Sequence, residues 1–258
     1  MQGPSVSKSS VAVKPDEAMD YLAQNKTYYH KEFGRGYGHH YPESHVIKLY
    51  NRILAARLGI SGARGERMLD FGCSTGANAT YFASKGFDVY GVDISPIPVD
   101  KCRQSLPDIK DHFQVISPSP QEDDSFFDCL FDVIFSNQVL YLLSEGDFHV
   151  RLGTLLRHLK PDGVFIATMM GTKHYFYSRS TPVGDGLRQV VLSEDPRDQF
   201  FLRFTESEDH LREQFALFEP LHVGYYDINL CQDSGFHYVF VGRPTHSEIT
   251  STQRDTAG

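Results

Sequence analysis

Residues 68–76 constrain the fold of this chain more than any other stretch. Met68-Leu69-Asp70-Phe71 reads as a short buried strand, and Gly72-Cys73-Ser74-Thr75-Gly76 as a loop that delivers the chain into a helix stopped at Gly86. Without Cβ atoms, Gly72 and Gly76 allow a tight turn and let a ligand approach the backbone amides. The helix that follows has unpaired N–H groups in its first turn. Phe87 to Val92 then reads as a second strand ending at Asp93, twenty-one residues beyond Gly72, placed to accept hydrogen bonds from two ribose hydroxyls. A strand–loop–helix–strand unit of this kind belongs in a parallel sheet that binds nucleotides at the carboxyl ends of its strands.

The alternation continues on both sides. A helix after Pro42-Glu43-Ser44 carries Val46, Tyr50, Ile53, Leu54 and Leu58 on one face and stops at Gly59. After Asp93 come a helix to about Leu106, a weaker strand from Phe113 to Ile116, and a buried strand, Phe131 to Phe135. Ser144 and Asp147 form a capping box ahead of an apolar face of Phe148, Leu152, Leu155, Leu156 and Leu159. Lys160-Pro161-Asp162-Gly163 turns into a strand from Val164 to Met169, and Thr205-x-x-Glu208 is expected to open a further helix. Runs at 221–230 and 235–242 read as an antiparallel hairpin. The expected domain is 17–243, with 17–60 as an N-terminal lid and helix, 66–170 as a cofactor-binding core and 170–204 as an insertion on the substrate side. Polar stretches at 1–16 and 244–258 read as disordered tails.

The loop chemistry separates two nucleotide classes. A pyrophosphate favours G-x-G-x-x-G, but position 74 is Ser and position 77 is Ala, which disfavours a nicotinamide dehydrogenase. Asp70 would repel a pyrophosphate and suits a cationic amino acid end. Met68 to Gly76 resembles motif I of the class I S-adenosylmethionine-dependent methyltransferases, and Val92-Asp93-Ile94-Ser95 resembles their acidic ribose motif. Phe131 to Asn137 is similar to their fourth strand, and Leu159-Lys160-Pro161-Asp162-Gly163 to the turn before their fifth. The resemblance implies a doubly wound α/β fold. Its sheet would be mostly parallel and seven-stranded, with an antiparallel C-terminal hairpin, helices on both faces and an N-terminal helical lid; within 170–204, Gln189 to Leu192 and Phe200 to Phe204 themselves read as a β-hairpin inserted after strand five. The resemblance also implies a site for S-adenosylmethionine. Gly72 and Gly76, with Cys73, Ser74 and Asn78 of the same loop and helix, would cradle the methionine end. Asp70 would act on the amino group directly or through water, Asp93 would hold the ribose, Ile94 would pack on adenine, and Asn137 would lie near the methionine, with Gln138 following it closely enough to face the pocket as a further cofactor contact. Many relatives carry an acid after strand three; here the stretch is Ser117-Pro118-Ser119-Pro120, and the adenine contact stays unassigned.

Substrate residues are sought around the strand ends. Tyr28-Tyr29-His30 and Tyr37-Gly38-His39-His40-Tyr41 lie where relatives fold a lid, so aromatic rings there could enclose a sulfonium and a His could serve as base. His39, His40, His174 and Tyr141 are the candidates for proton handling; Tyr29, Tyr37, Tyr175 and Tyr177 are the candidate acceptor contacts. Arg179, Arg188 and Arg203 could meet a carboxylate or phosphate on the substrate. His39, His40 and His45 lack a partnering acidic motif, so no metal is expected. Net charge is −8, from 33 acidic and 25 basic residues, and no basic stripe suggests nucleic acid as a partner. Four well-separated cysteines, no secretory signal and no membrane-length apolar run lead to the expectation of a cytoplasmic protein away from membranes. A monomeric or homodimeric enzyme that methylates oxygen or nitrogen of a small molecule is expected. A peptide or protein methyltransferase and a non-catalytic S-adenosylmethionine-binding module are the alternatives.

Overall fold

Apolar side chains alternate between two faces along the central strands, and this alternation puts helices on both sides of one sheet. In chain order the elements are α1 (Tyr21–Gly34), α2 (Ser44–Leu49) continuing into a π-helical turn (Tyr50–Ala55), β1 (Arg67–Phe71), α3 (Ala77–Ser84), β2 (Asp88–Asp93), α4 (Pro96–Ser105), β3 (Phe113–Val115), β4 (Phe131–Ser136), α5 (Glu145–Arg157) and β5 (Leu159–Met170). There follow α6 (Tyr175–Ser178), β6 (Ser180–Gly184), β7 (Leu187–Val191), β8 (Gln199–Leu202), α7 (Glu208–Gln214), β9 (Phe218–Tyr226) and β10 (His237–Pro244). The computed structural model describes residues 20–36, 38, 41–229 and 233–245.

The large sheet has seven strands in the order β3-β2-β1-β4-β5-β10-β9, parallel except for β10, which runs antiparallel to both β5 and β9. The strand order reverses between β1 and β4, and this is the crevice where such sheets bind ligands. Leu69 and Ile134 face one core with Phe148, Leu152 and Leu155 of α5, Leu211 of α7 and Phe215 just after it. Met68, Val133 and Phe135 face the other, with Val46 and Leu49 of α2, Phe82 of α3 and Val99 and Cys102 of α4. Each fully buried Phe or Leu contributes on the order of 1.5–3 kcal/mol.

Local signals set several ends. Ser144 Oγ accepts from the Asp147 amide at 3.3 Å and caps α5, as the capping box predicts. At α7 the cap is Ser207, whose side chain accepts from the His210 amide, and not Thr205. Thr205 is held instead by a bridge to Gly171, and its hydroxyl donates to Gln214 at 2.8 Å. The insertion is a three-stranded antiparallel sheet, β6-β7-β8, preceded by α6, and not a hairpin alone. The pairing of β7 with β8 matches the sequence reading; β6 adds a second hairpin through Asp185-Gly186, both at positive φ (48° and 70°). Asp-Gly is a strong two-residue turn signal. The boundary expected at 244 is slightly early, since β10 includes Pro244; residues 1–16 and 246–258 lie outside the described residues. Among the described residues no helix is long and apolar enough to cross a membrane.

Candidate active site

A cavity opens at the carboxyl ends of β1, β2 and β4. Gly72, Cys73, Ser74, Ala77 and Asn78 line it from the first loop and helix, Val92, Asp93, Ile94 and Ser95 from the end of β2, and Asn137, Gln138 and Val139 from the end of β4. Helix α1 covers it with Leu22, Asn25, Lys26, Tyr29 and Phe33. The expected lid is therefore a helix over Tyr28, Tyr29 and the exposed His30. Tyr37, His39 and His40 lie outside the described residues.

The glycine loop is shaped by crowding. Gly72 has φ +78°, and a Cβ there would stand 2.2 Å from Val139 Cγ2; at Gly76, φ +84°, it would stand 2.9 Å from Cys102 Sγ. Both positions require glycine for conformation and for space. Three amides of the loop that the sequence leaves open to a ligand are already engaged within the fold. Gly72 and Cys73 both donate to the Val92 carbonyl at 2.9 and 3.0 Å, and Ser74 donates to Asp93 Oδ2 at 3.0 Å. Gly76 is the N-cap of α3 and does not line the cavity.

Asp93 holds this turn and faces the cavity at once. Its Oδ1 accepts from the Ser95 amide at 2.9 Å, leaving each carboxylate oxygen a further lone-pair direction. Burial raises its pKa, and hydrogen bonds from the Ser95, Ser74 and Ile94 amides oppose that rise. Asp70 is placed differently: it is 1 % exposed and does not line the cavity, which leaves no direct contact with a ligand there. Neither oxygen is hydrogen-bonded; the Ala79 amide of α3 directs its dipole at the carboxylate without reaching bonding geometry. Burial first, then the Asp93 charge, pushes the Asp70 carboxyl up to about 7.

That placement gives a prediction. An unfolded aspartate titrates near 3.8, so between roughly pH 4 and pH 7 the folded chain holds a proton that the unfolded chain has lost. Stability from this group is thus greatest below pH 4 and falls as pH rises through 7. Asp70→Asn should raise stability at pH 8 by on the order of 2–4 kcal/mol and change little at pH 4. Urea denaturation at the two pH values checks this, and a variant destabilised at pH 8 would show an ionised, paired Asp70.

The loop after β4 is strained and tied from several directions. Gln138 has φ +61°, its amide donates to Thr168 Oγ1 at 2.7 Å, and its side-chain NH₂ donates to the Tyr226 hydroxyl at 3.0 Å. Non-glycine residues persist there only when their surroundings fix them, and such sites cluster at functional positions. Asn137 Oδ1 accepts from Thr168 Oγ1 at 3.0 Å and from His45 Nε2 at 2.9 Å. His45 Nδ1 lies 3.2 Å from Glu43 Oε2, off hydrogen-bond alignment, and the ring stacks on Tyr226 at 3.9 Å. Glu43 lines the cavity and was read from sequence only as part of a helix start; His45 was weighed only as a metal ligand. Tyr226 pairs with His237 across the β9–β10 hairpin, a juxtaposition without a local sequence signal.

The far end is apolar. Ile116 and Pro118, after β3, line the cavity with Leu143 and Arg151. Arg151 is 2 % exposed, donates to Asp124 at 2.9 Å and to the Ser117 carbonyl at 3.3 Å, and lies over the rings of Phe71 and Phe126. A lone arginine among the apolar positions of α5 was its only signal.

A second cavity lies under the insertion, lined by His174, Tyr175, Phe176, Phe200 and His237 among others, and shares Tyr29, Gln138 and Tyr141 with the first. Of the candidates for acceptor contact, Tyr29 and Tyr175 meet here with Tyr141 and His174. Tyr177 does not; it packs on Phe204 and under Arg188, away from both cavities. The three arginines are also engaged elsewhere. Arg179 faces Asp233 at 3.5 Å, Arg188 donates to Ser180, and Arg203 is buried over Phe148.

The fold and the cavity define a nucleotide-type site at the switch point of a doubly wound sheet. The methyltransferase-domain family model matches residues 37–218, most of the chain, and the chain belongs to this family, the class I, S-adenosylmethionine-dependent methyltransferases. A Geobacillus sp. (strain WCH70) protein that carries a methyltransferase name is 31% identical over 116 residues, 44% of this chain and 45% of the relative. The chain spans about half the length of the curated relatives it matches, 45% and 47% of them. Among solved structures, a Methanosarcina mazei S-adenosylmethionine-dependent methyltransferase is similar, with TM-score 0.59, 18% identity and coverage of 73% of this chain and 97% of that one. Burkholderia thailandensis 1,6-didemethyltoxoflavin-N1-methyltransferase, holding 1,6-didemethyltoxoflavin and S-adenosylhomocysteine, gives TM-score 0.61 at 18% identity over 91% of this chain and 93% of that one.

Proposed function

We propose that this domain transfers the methyl group of S-adenosylmethionine to an oxygen or nitrogen of a small molecule. The observation that carries the reading is Asp93. A half-buried carboxylate at the end of β2, which accepts from the Ser74 and Ser95 amides, lines a cavity at the sheet's switch point. The residues present fit the cofactor. Asp93 would accept from both ribose hydroxyls, and Ile94, Ile116 and Pro118 would enclose adenine. Asn78, Asn137 and Gln138 would surround the methionine end, with Glu43 supplying negative charge near the cationic groups. Asp70, behind the loop, would act on the amino group only through water or through the field it sets up.

When bound, the sulfonium supplies a methyl carbon open to in-line attack, with the electrons of the carbon–sulfur bond returning to sulfur. The chain's part is alignment and exclusion of water, which can supply up to ~7–11 kcal/mol. The two cavities share Tyr29, Gln138 and Tyr141, so an acceptor in the second would lie beside the methionine end of the first. His174 enters as a hydrogen-bond donor: its Nδ1 accepts from the Phe176 amide, leaving the proton on Nε2. A lidded, aromatic second cavity favours a metabolite over a peptide, and the Burkholderia relative's small-molecule name is in keeping with that. Calorimetry tests the cofactor assignment: S-adenosylhomocysteine should bind one per chain and NAD should not. Binding of NAD with none of S-adenosylhomocysteine would overturn it.

A further inference from the structure

The second cavity has a definite chemical character. Among the described residues that line it, six are Tyr or Phe, one is a carboxylate, Glu32 of α1, and none is Lys or Arg. Of the nearby arginines, Arg179 lies over the Tyr175 ring and faces Asp233, Arg188 donates to Ser180, and Arg203 lies over Phe148; none of the three lines this cavity. Its histidines are neutral near pH 7, because burial pushes His174 down to about 3 and His237 to about 4.

His237 carries the polar half of the argument. It is 5 % exposed, stacked on Tyr226 with ring planes 10° apart. Its Nδ1 lies 3.0 Å from the Gly235 carbonyl oxygen, which can only accept, so the ring proton is on Nδ1. Nε2 is therefore a lone pair, and it is buried without a partner. A buried acceptor left unsatisfied is costly, and a ligand donor that reaches it recovers that cost.

We propose that the second cavity is the acceptor pocket for a planar aromatic molecule without negative charge, whose O–H or N–H donates to His237 Nε2. The proposal rests on the methyl-transfer reading of the first cavity. Flat rings suit walls of Tyr and Phe through offset and edge contacts. A carboxylate or phosphate would be desolvated with no cation to pair it, and Glu32 would add repulsion. The arginines therefore do not select an anionic acceptor, as the sequence alone suggested they could.

The test uses three probes of one ring size, titrated by calorimetry into the full chain saturated with S-adenosylhomocysteine: 2-naphthol, 2-methoxynaphthalene and 2-naphthoate. 2-Naphthol should bind most tightly, 2-naphthoate at least about tenfold more weakly for want of a paired cation. 2-Methoxynaphthalene, lacking the donor, should lose roughly three- to tenfold. His237→Phe should abolish the difference between naphthol and its methyl ether and leave S-adenosylhomocysteine affinity unchanged. Should that variant fail to fold, the ranking of the three probes on the native chain still decides. Equal or tighter binding of 2-naphthoate, or no binding of 2-naphthol to a chain that binds S-adenosylhomocysteine, overturns this proposal alone. Absence of S-adenosylhomocysteine binding overturns the reading beneath it.

Discussion

Asp93→Ala is expected to weaken S-adenosylhomocysteine binding at least about a hundredfold, since two charge-assisted hydrogen bonds to ribose are each worth about 1.5–3 kcal/mol. The same carboxylate accepts from the Ser74 and Ser95 amides, so its removal also loosens the turn that forms the cavity wall. Asp93→Asn separates the two effects. It keeps an acceptor for one amide and loses the charge, and should fall between native and alanine in affinity. Calorimetry on variants with native-like circular dichroism checks the order, and unchanged affinity in a folded Asp93→Ala would remove the ribose assignment.

Removal of the lid should have an effect of similar size on kinetics. Helix α1 covers the first cavity with Leu22, Tyr29 and Phe33 and is fastened by Asn25. That side chain donates to the Leu142 and Phe201 carbonyls at 3.1 Å each and accepts from the Phe201 amide at 2.7 Å. Tyr21 adds a second tie: it accepts from the Ser144 amide and donates to Asp147, entering the capping box of α5. All seven strands of the main sheet lie between residues 67 and 244, so a chain lacking residues 1–35 should keep its sheet. Without the cover, S-adenosylhomocysteine should dissociate roughly 30–100-fold faster, a gating effect on release. Asn25→Ala should move in the same direction by a smaller factor. Stopped-flow displacement measures both, and an unaltered dissociation rate would reduce α1 to packing.

The sheet was legible because its signals are local. Strands with one face to each core and glycine-bounded turns follow from neighbouring residues, and so does the Ser144 cap. Much of the first cavity's lining was legible for the same reason, since Gly72 to Ser74, Asn78, Asp93 and Ile94 sit on consecutive elements. What the sequence concealed depends on distant pairing. Glu43, His45, Tyr226 and His237 meet only because α2 and the β9–β10 hairpin converge on the loop after β4. Tyr177, Arg179 and Arg188 were near the right strand end in sequence, but a short helix and an added strand carry them away from the cavities, and Arg203 is buried over Phe148. Asp185-Gly186 did carry a turn signal that would have revealed the third strand of the insertion.

The central claim is methyl transfer to a small molecule, and one measurement addresses it most directly. The chain is incubated with S-adenosylmethionine labelled in the methyl group and a cell extract freed of protein and nucleic acid, and the extract is then separated by chromatography. Label should move into a discrete aromatic compound with the native chain and remain at the blank level with Asp93→Ala. Label that stays in S-adenosylmethionine with both chains, or that enters only added protein when protein is restored, would contradict the account.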